Sequence, residues 1–287
     1  MFISVRDDVL RLAGYGSIAE GLKDLNLDSV EVEFFRDYTV WDTTGWKRVA
    51  FTAADAAQKI RQAYGKTGIC AFLLHNNFNC AEPQKEIQWV VDVIKAADAL
   101  KIPAIRIDAI TKGEREEPFD VRVSRFVDSM RQALAATAGS AVSLGIENHG
   151  VQGNDPAFLE QVIARVGDRR LGVNMDTGNF YWNGFPLDEV YAILRRVAPH
   201  TKHTHVKNIR YPEETRRQKR ASGWEYGKYV SPIYEGDIDH RQVIAILSKA
   251  GYKGPLTIED ECLGRLDANG KKDVLRKDAA YLKSLLA

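Results

Sequence analysis

The sequence predicts an α/β protein folded as a single (β/α)8 TIM barrel over residues 1–287, with a long loop after the seventh strand. Three observations predict it. Short apolar or β-branched runs alternate with longer amphipathic segments along the whole chain. Eight such pairs can be counted, and about 250 residues is typical of eight units closed into a barrel. The runs read as mostly buried strands, as in a parallel sheet covered by helices.

The eight strand candidates are FISVR (2–6), VEVEF (30–34), ICAFLLH (69–75), AIRID (104–108), VSLGIE (142–147), LGVNMD (171–176), TKHTHV (201–206) and PLTIED (255–260). Each precedes a helical pattern, and start signals fall where helices should begin. Ser17 stands before IAEGLKDL, Pro83 falls near the first turn of the long pattern PQKEIQWVVDVIKAADAL, and Asp155 precedes Pro156. An open doubly wound sheet is the rival arrangement. Its phosphate-binding signature is missed, because AGYGSIAEG places glycines at 14, 16 and 21 rather than in GxGxxG spacing. Walker A, HExxH and GxSxG patterns are absent as well. The longest break in the alternation runs from Lys207 to Asp239, which in a barrel emerges on the active face. Its basic run, Arg216, Arg217, Lys219 and Arg220, reads as a solvated face.

Composition narrows the function classes. With 40 basic residues against 39 acidic ones, bulk charge gives no reason to expect a nucleic-acid or membrane partner. The first residues lack a secretory pattern and no 18-residue apolar run follows, so a soluble cytoplasmic protein is expected. Cys70, Cys80 and Cys262 are widely spaced, which predicts reduced and mostly buried thiols.

Catalytic groups of a parallel barrel sit at the carboxyl ends of its strands. Four consecutive strands end in ionisable residues: Glu147 in GIENHG, Asp176 in NMDTGN, His205 in HTHVKN and Glu259 in LTIEDE. Alternation places His203, His205 and Lys207 on one face of the seventh strand, and Thr257, Glu259 and Glu261 on one face of the eighth. Outward, those groups would meet the apolar side of the helix layer, so inward is predicted. Three carboxylates facing one another repel strongly in a low-dielectric pocket unless a cation joins them. One divalent ion is therefore expected. Oxygen-rich ligation with one imidazole favours Mn²⁺ or Mg²⁺ and leaves Co²⁺ or Zn²⁺ open.

At these residues the chain resembles the xylose-isomerase-like barrels, a superfamily of sugar isomerases and epimerases that includes tagatose-type 3-epimerases, hydroxypyruvate isomerase, inosose dehydratase and endonuclease IV. The motifs that carry the resemblance are IENHG, NMDTGNF, HTHVKN, GDID and GYKGPLTIE. It implies that Glu147, Asp176, His205 and Glu259 ligate the ion and that Glu147 and Glu259 form an acid/base pair. The implied reaction removes a proton next to a substrate carbonyl through a metal-stabilised enediolate. Three residues after the metal aspartate, epimerases of this kind often carry a histidine, whereas this chain has Asn179, which carries no proton near neutral pH.

His149, Asn179, Lys207, Arg210 and His75 complete the candidate set as substrate-binding residues, with pairing to Glu261 a second reading for Lys207. Trp46, Trp182 and Trp224 lie in loops on the same face, while Trp89 belongs to a helix. The expected substrate is a ketose, sugar acid or polyol ketone. Isomerisation or epimerisation is the first reading, and dehydration of an inosose or 3-keto sugar the second. A non-catalytic sugar-binding or subunit barrel is a third. The resemblance also implies a homodimer or homotetramer, and endonuclease IV chemistry is disfavoured because its multi-metal site needs more histidines than the six present.

Overall fold

The computed structural model describes residues 1–75, 82–109 and 116–287. Eight parallel strands close into a barrel. They are β1 (Phe2–Arg6), β2 (Ser29–Glu33), β3 (Gly68–Leu73), β4 (Ala104–Ile107), β5 (Ser143–Glu147), β6 (Leu171–Asp176), β7 (Thr201–Val206) and β8 (Pro255–Ile258). β8 closes on β1, with Phe2 opposite Pro255 and Val5 opposite Ile258. Each predicted strand is present, within one or two residues at its ends.

The helices pack outside. Ser17 caps Ile18–Leu25 by accepting the Glu20 N–H at 3.0 Å, Pro83 opens Pro83–Leu100, and Asp155 caps Pro156–Val166. Trp89 is buried on the second of these, in the layer between helices and sheet, and Phe126 meets Phe158 edge-on at 5.6 Å. Two register shifts interrupt the ladder, one between Val30 and Glu31 and one between Val173 and Asn174. Such bulges re-aim side chains next to functional sites. Here they adjust the strand pairs that carry Glu31 and His203.

Two short hairpins, Thr39–Trp41 with Arg48–Ala50 and Asn208–Ile209 with Val230–Ser231, extend the loops after β2 and β7. The second organises the long loop and corrects the reading of its basic run. Arg216 pairs with Asp237 at 3.0 Å, while Arg220 lies over the Tyr181 and Tyr211 rings and donates to the Tyr181 and Phe185 carbonyls. Only Arg217 and Lys219 keep an exposed position. Guanidinium groups thus add to the aromatic contacts that Tyr211, Trp224 and Tyr229 make within the loop. Cys70 and Cys262 are buried free thiols, and Cys80 lies outside the described residues. Among the described residues no helix is long and apolar enough to cross a membrane.

His240, the first residue of the helix His240–Lys249, is buried, and burial lowers its pKa from 6.5 to about 4 against the opposing charge of Asp239. The unfolded chain therefore binds a proton there before the folded one does. Stability should fall as pH drops from about 6.5 towards 4, by up to about 3 kcal/mol from this group. Urea titrations across that window should show a shallower acid slope for His240→Leu than for the wild type.

Candidate metal centre

The barrel interior near the strand ends is ionic rather than aliphatic. Arg6, Glu31, Arg106, Glu147, Asp176, His203, His205, Lys207 and Glu259 are all buried. Charge at that depth survives only when paired. The pairing has a pattern: each of four side chains has one polar atom held by the protein and one directed at a common point.

Glu147 ends β5, and its Oε2 is gripped by the Arg106 guanidinium from β4. Its Oε1 lies 2.9 Å from His205 Nδ1. Glu259 follows β8, with Oε1 paired to Arg6 of β1 and Oε2 3.3 Å from the same imidazole nitrogen. Asp176 ends β6, where the chain turns sharply. Its Oδ1 accepts the Gly178 and Asn179 N–H groups at 2.8 and 2.7 Å, while Oδ2 is buried without a hydrogen bond. His205 of β7 uses Nε2 against Glu31 at 2.8 Å, which leaves Nδ1 for the centre.

Donor atoms from Glu147, Asp176, His205 and Glu259 all lie within 4.8 Å of one another. Three oxygens and one nitrogen, with buried oxygens of Asp176 and Glu259 lacking hydrogen bonds, are a set that fits a divalent cation. Lys207 Nζ sits beside it, 3.4 Å from Asp176 and 3.1 Å from Glu259, and is also paired with Glu261. Two further acid–imidazole groupings, Glu31–His203–His205 and Asp108–Glu147–His149, share members with this one.

The electrostatics follow the contacts. Burial pushes the Glu147 carboxyl up, but Arg106 and His205 more than offset it and hold it well below the usual range. Burial also pushes Asp176 up, and there Lys207 compensates only partly. His205 is raised to about 9, because Glu31 and Glu147 outweigh burial.

The other sequence candidates divide. Asn179 is buried with its amide 3.5 Å from Glu147 Oε1, and Lys207 lies within the cluster, paired with Glu261 as its second reading had it. His149 Nδ1 is 2.9 Å from Asp108, with the side chain half exposed towards the mouth. His75 lies 3.9 Å from both Glu33 and Asp108, and burial lowers its pKa to about 4. Arg210 is not brought to the cluster: it is exposed on the loop hairpin, where its charge acts on Asp237. The aromatic loop residues pack among themselves. Trp46 donates to the Tyr15 carbonyl at 2.7 Å, Trp224 stacks on Tyr229, and Trp182 rests against Gly223.

Arg6, Glu31, Arg106 and Asp108 escaped the sequence reading. The signal they offered was a charge inside an apolar strand run, at a position where both faces of the strand are covered. Tyr226, which reaches from the long loop to Glu261 at 2.7 Å, offered none.

A closed parallel barrel with a carboxylate–imidazole cluster at its strand ends defines a (β/α)8 protein with a candidate divalent-cation site. The chain belongs to the xylose isomerase-like TIM barrel family, whose model matches residues 20–285. It is 28% identical to an inosose dehydratase of Serratia proteamaculans over 167 residues, 54% of each chain, so it matches about half the length of that relative. Among solved structures it is similar to an IolI protein with a bound zinc atom, at TM-score 0.68 and 13% identity, covering 98% of this chain and 97% of that one. It is also similar to a D-tagatose 3-epimerase-like protein, at TM-score 0.64 and 17% identity over the whole of both chains. Those two likenesses concern the fold. Members of the family related to this chain are enzymes that act on sugar-like molecules.

Chelator-treated protein should remain folded, because Arg106, Arg6 and Lys207 already balance the three carboxylates. Added Mn²⁺ should raise the unfolding midpoint, by about 2.7 kcal/mol of stabilisation when the ion is at about 100 times its Kd. Asp176→Asn should abolish that increment and keep the metal-free midpoint near wild type, as read by thermal unfolding with and without ion.

Proposed function

We propose that this chain is a divalent-metal-dependent enzyme that removes the proton next to the carbonyl of a sugar or polyol ketone. One observation carries the reading: two buried glutamates, Glu147 and Glu259, bring one oxygen each to a common centre while an arginine holds the other. When bound, a divalent ion supplies Lewis acidity that stabilises negative charge on a substrate oxygen.

The protein's own groups do the rest. Arg106 keeps Glu147 ionised, with a lone pair free to accept a proton, and Arg6 holds one oxygen of Glu259 so that the other faces the centre. One carboxylate takes the carbon-bound proton, and its partner, entering the cycle with a proton gained from water, delivers that proton to the opposite face or to the neighbouring carbon. The first outcome is epimerisation and the second isomerisation. Asn179 can orient a substrate hydroxyl by hydrogen bonding and takes no proton itself. Lys207, His149 and His75 border the same space and would contact substrate oxygens.

A second reading, elimination of water after the same proton removal, is favoured by the sequence similarity to inosose dehydratase. The Asp108–His149 pair beside Glu147 supports it, since an imidazole held by a carboxylate is suited to protonating a departing hydroxyl.

Incubation of Mn²⁺-loaded protein with keto sugars and inosose-type ketones in deuterated water should incorporate deuterium at the carbon next to the carbonyl. Glu259→Gln should reduce that exchange by about 10²–10⁴-fold with the fold intact. Undiminished exchange in the variant would exclude Glu259 as the base. Product mass then decides the outcome, a loss of water marking elimination and a mass raised only by the incorporated deuterium marking isomerisation or epimerisation.

A further inference from the structure

Glu31 lies at the centre of the barrel, fully buried, one layer below the four ligands. No part of the proton transfer above uses it. Its two oxygens face two imidazoles of the same strand: Oε1 is 3.0 Å from His203 Nε2 and Oε2 is 2.8 Å from His205 Nε2. The bulge between Val30 and Glu31 aims the side chain across the barrel from β2 to β7.

We propose that Glu31 is a positioning residue that fixes the tautomer and orientation of His205, so that Nδ1 presents its lone pair to the divalent ion. An ionised carboxylate has no proton to donate and can only accept. A neutral imidazole has one proton for two nitrogens that both face carboxylates, and placing it on Nε2 against Glu31 leaves Nδ1 bare and pointed at the space between Glu147 Oε1 and Glu259 Oε2. Without that acceptor the alternative tautomer becomes favourable, because Nδ1–H could donate to Glu147 and the ligand lone pair would be lost. His203 flanks the arrangement: its Nε2 lies 3.0 Å from the second Glu31 oxygen and 3.3 Å from the Thr257 hydroxyl. The carboxylate thus acts on the ion only through His205.

The proposal rests on His205 being a ligand, and the experiment separates the two claims. Mn²⁺ affinity is measured by chelator competition, without substrate, for wild type, Glu31→Leu, Glu31→Gln and His203→Leu. The His205 tautomer is read by long-range ¹H–¹⁵N NMR of the metal-free proteins at a pH where the ring is neutral. The expected result is an Nε2–H tautomer in the wild type and about 10–100-fold weaker binding in Glu31→Leu with the proton moved to Nδ1. Glu31→Gln, which keeps one acceptor, should retain the Nε2–H form and lose less affinity, and His203→Leu should bind nearly as the wild type does.

A wild-type Nδ1–H tautomer, or wild-type affinity in Glu31→Leu, would overturn the proposal. So would a loss in Glu31→Gln equal to that in Glu31→Leu with the tautomer unchanged, since charge alone would then explain it. If Glu31→Leu does not fold, the wild-type tautomer and the other two variants still decide. Failure of wild-type protein to bind any divalent ion would overturn the four-ligand reading itself, and this proposal with it.

Discussion

Burying a carboxylate costs several kcal/mol unless its lone pairs find partners, and this barrel buries at least four of them within one small volume. Its solution is to satisfy each ligand on one side only. Arg106, Arg6 and the backbone N–H groups of the Asp176 turn each hold one oxygen of a carboxylate, and Glu31 holds one nitrogen of the imidazole. The satisfied half makes the charge tolerable. The unsatisfied half makes the site reactive towards a cation.

The strand architecture is what permits this arrangement. Arg106 on β4 is one strand away from Glu147 on β5, and Arg6 on β1 is one strand away from Glu259 after β8, so each glutamate is paired across a neighbouring ladder. Among the described residues Asp176 has no arginine partner. It relies on the tight turn at Gly178, where a Cβ would meet the Lys207 side chain at 2.5 Å, so a glycine is needed for Lys207 to pass close by. Asp176 and the buried lysine are thus accommodated by one small residue.

Much of this was legible in the residue order, for a physical reason. Strands covered on both faces must be apolar nearly throughout, so Glu147, Asp176 and Glu259 stand out as carboxylates that terminate such runs. His205 stands out by parity with His203 and Lys207. The same logic applied to β1, β2 and β4 would have found Arg6, Glu31 and Arg106, but in FISVR, VEVEF and AIRID one or two charges pass for ordinary alternation. The cation on one strand explains the anion on another only when the barrel brings them together. The two short hairpins were invisible because pairs of two or three residues have no periodicity to read, and Arg220 was misjudged because a guanidinium among aromatic rings and carbonyls looks, in sequence, like any other loop charge.

The hairpin that closes the loop after β7 separates two jobs. Asn208 and Ile209 are pinned to Val230 and Ser231, so the chain leaves and re-enters the barrel rim at a fixed place whatever lies between. Tyr226, in the intervening stretch, touches the site through Glu261 and the lysine that Glu261 holds. Insertions or replacements between Tyr211 and Tyr229 can therefore change what the loop presents above the strand ends while the pinned hairpin leaves the geometry of the candidate site as it is.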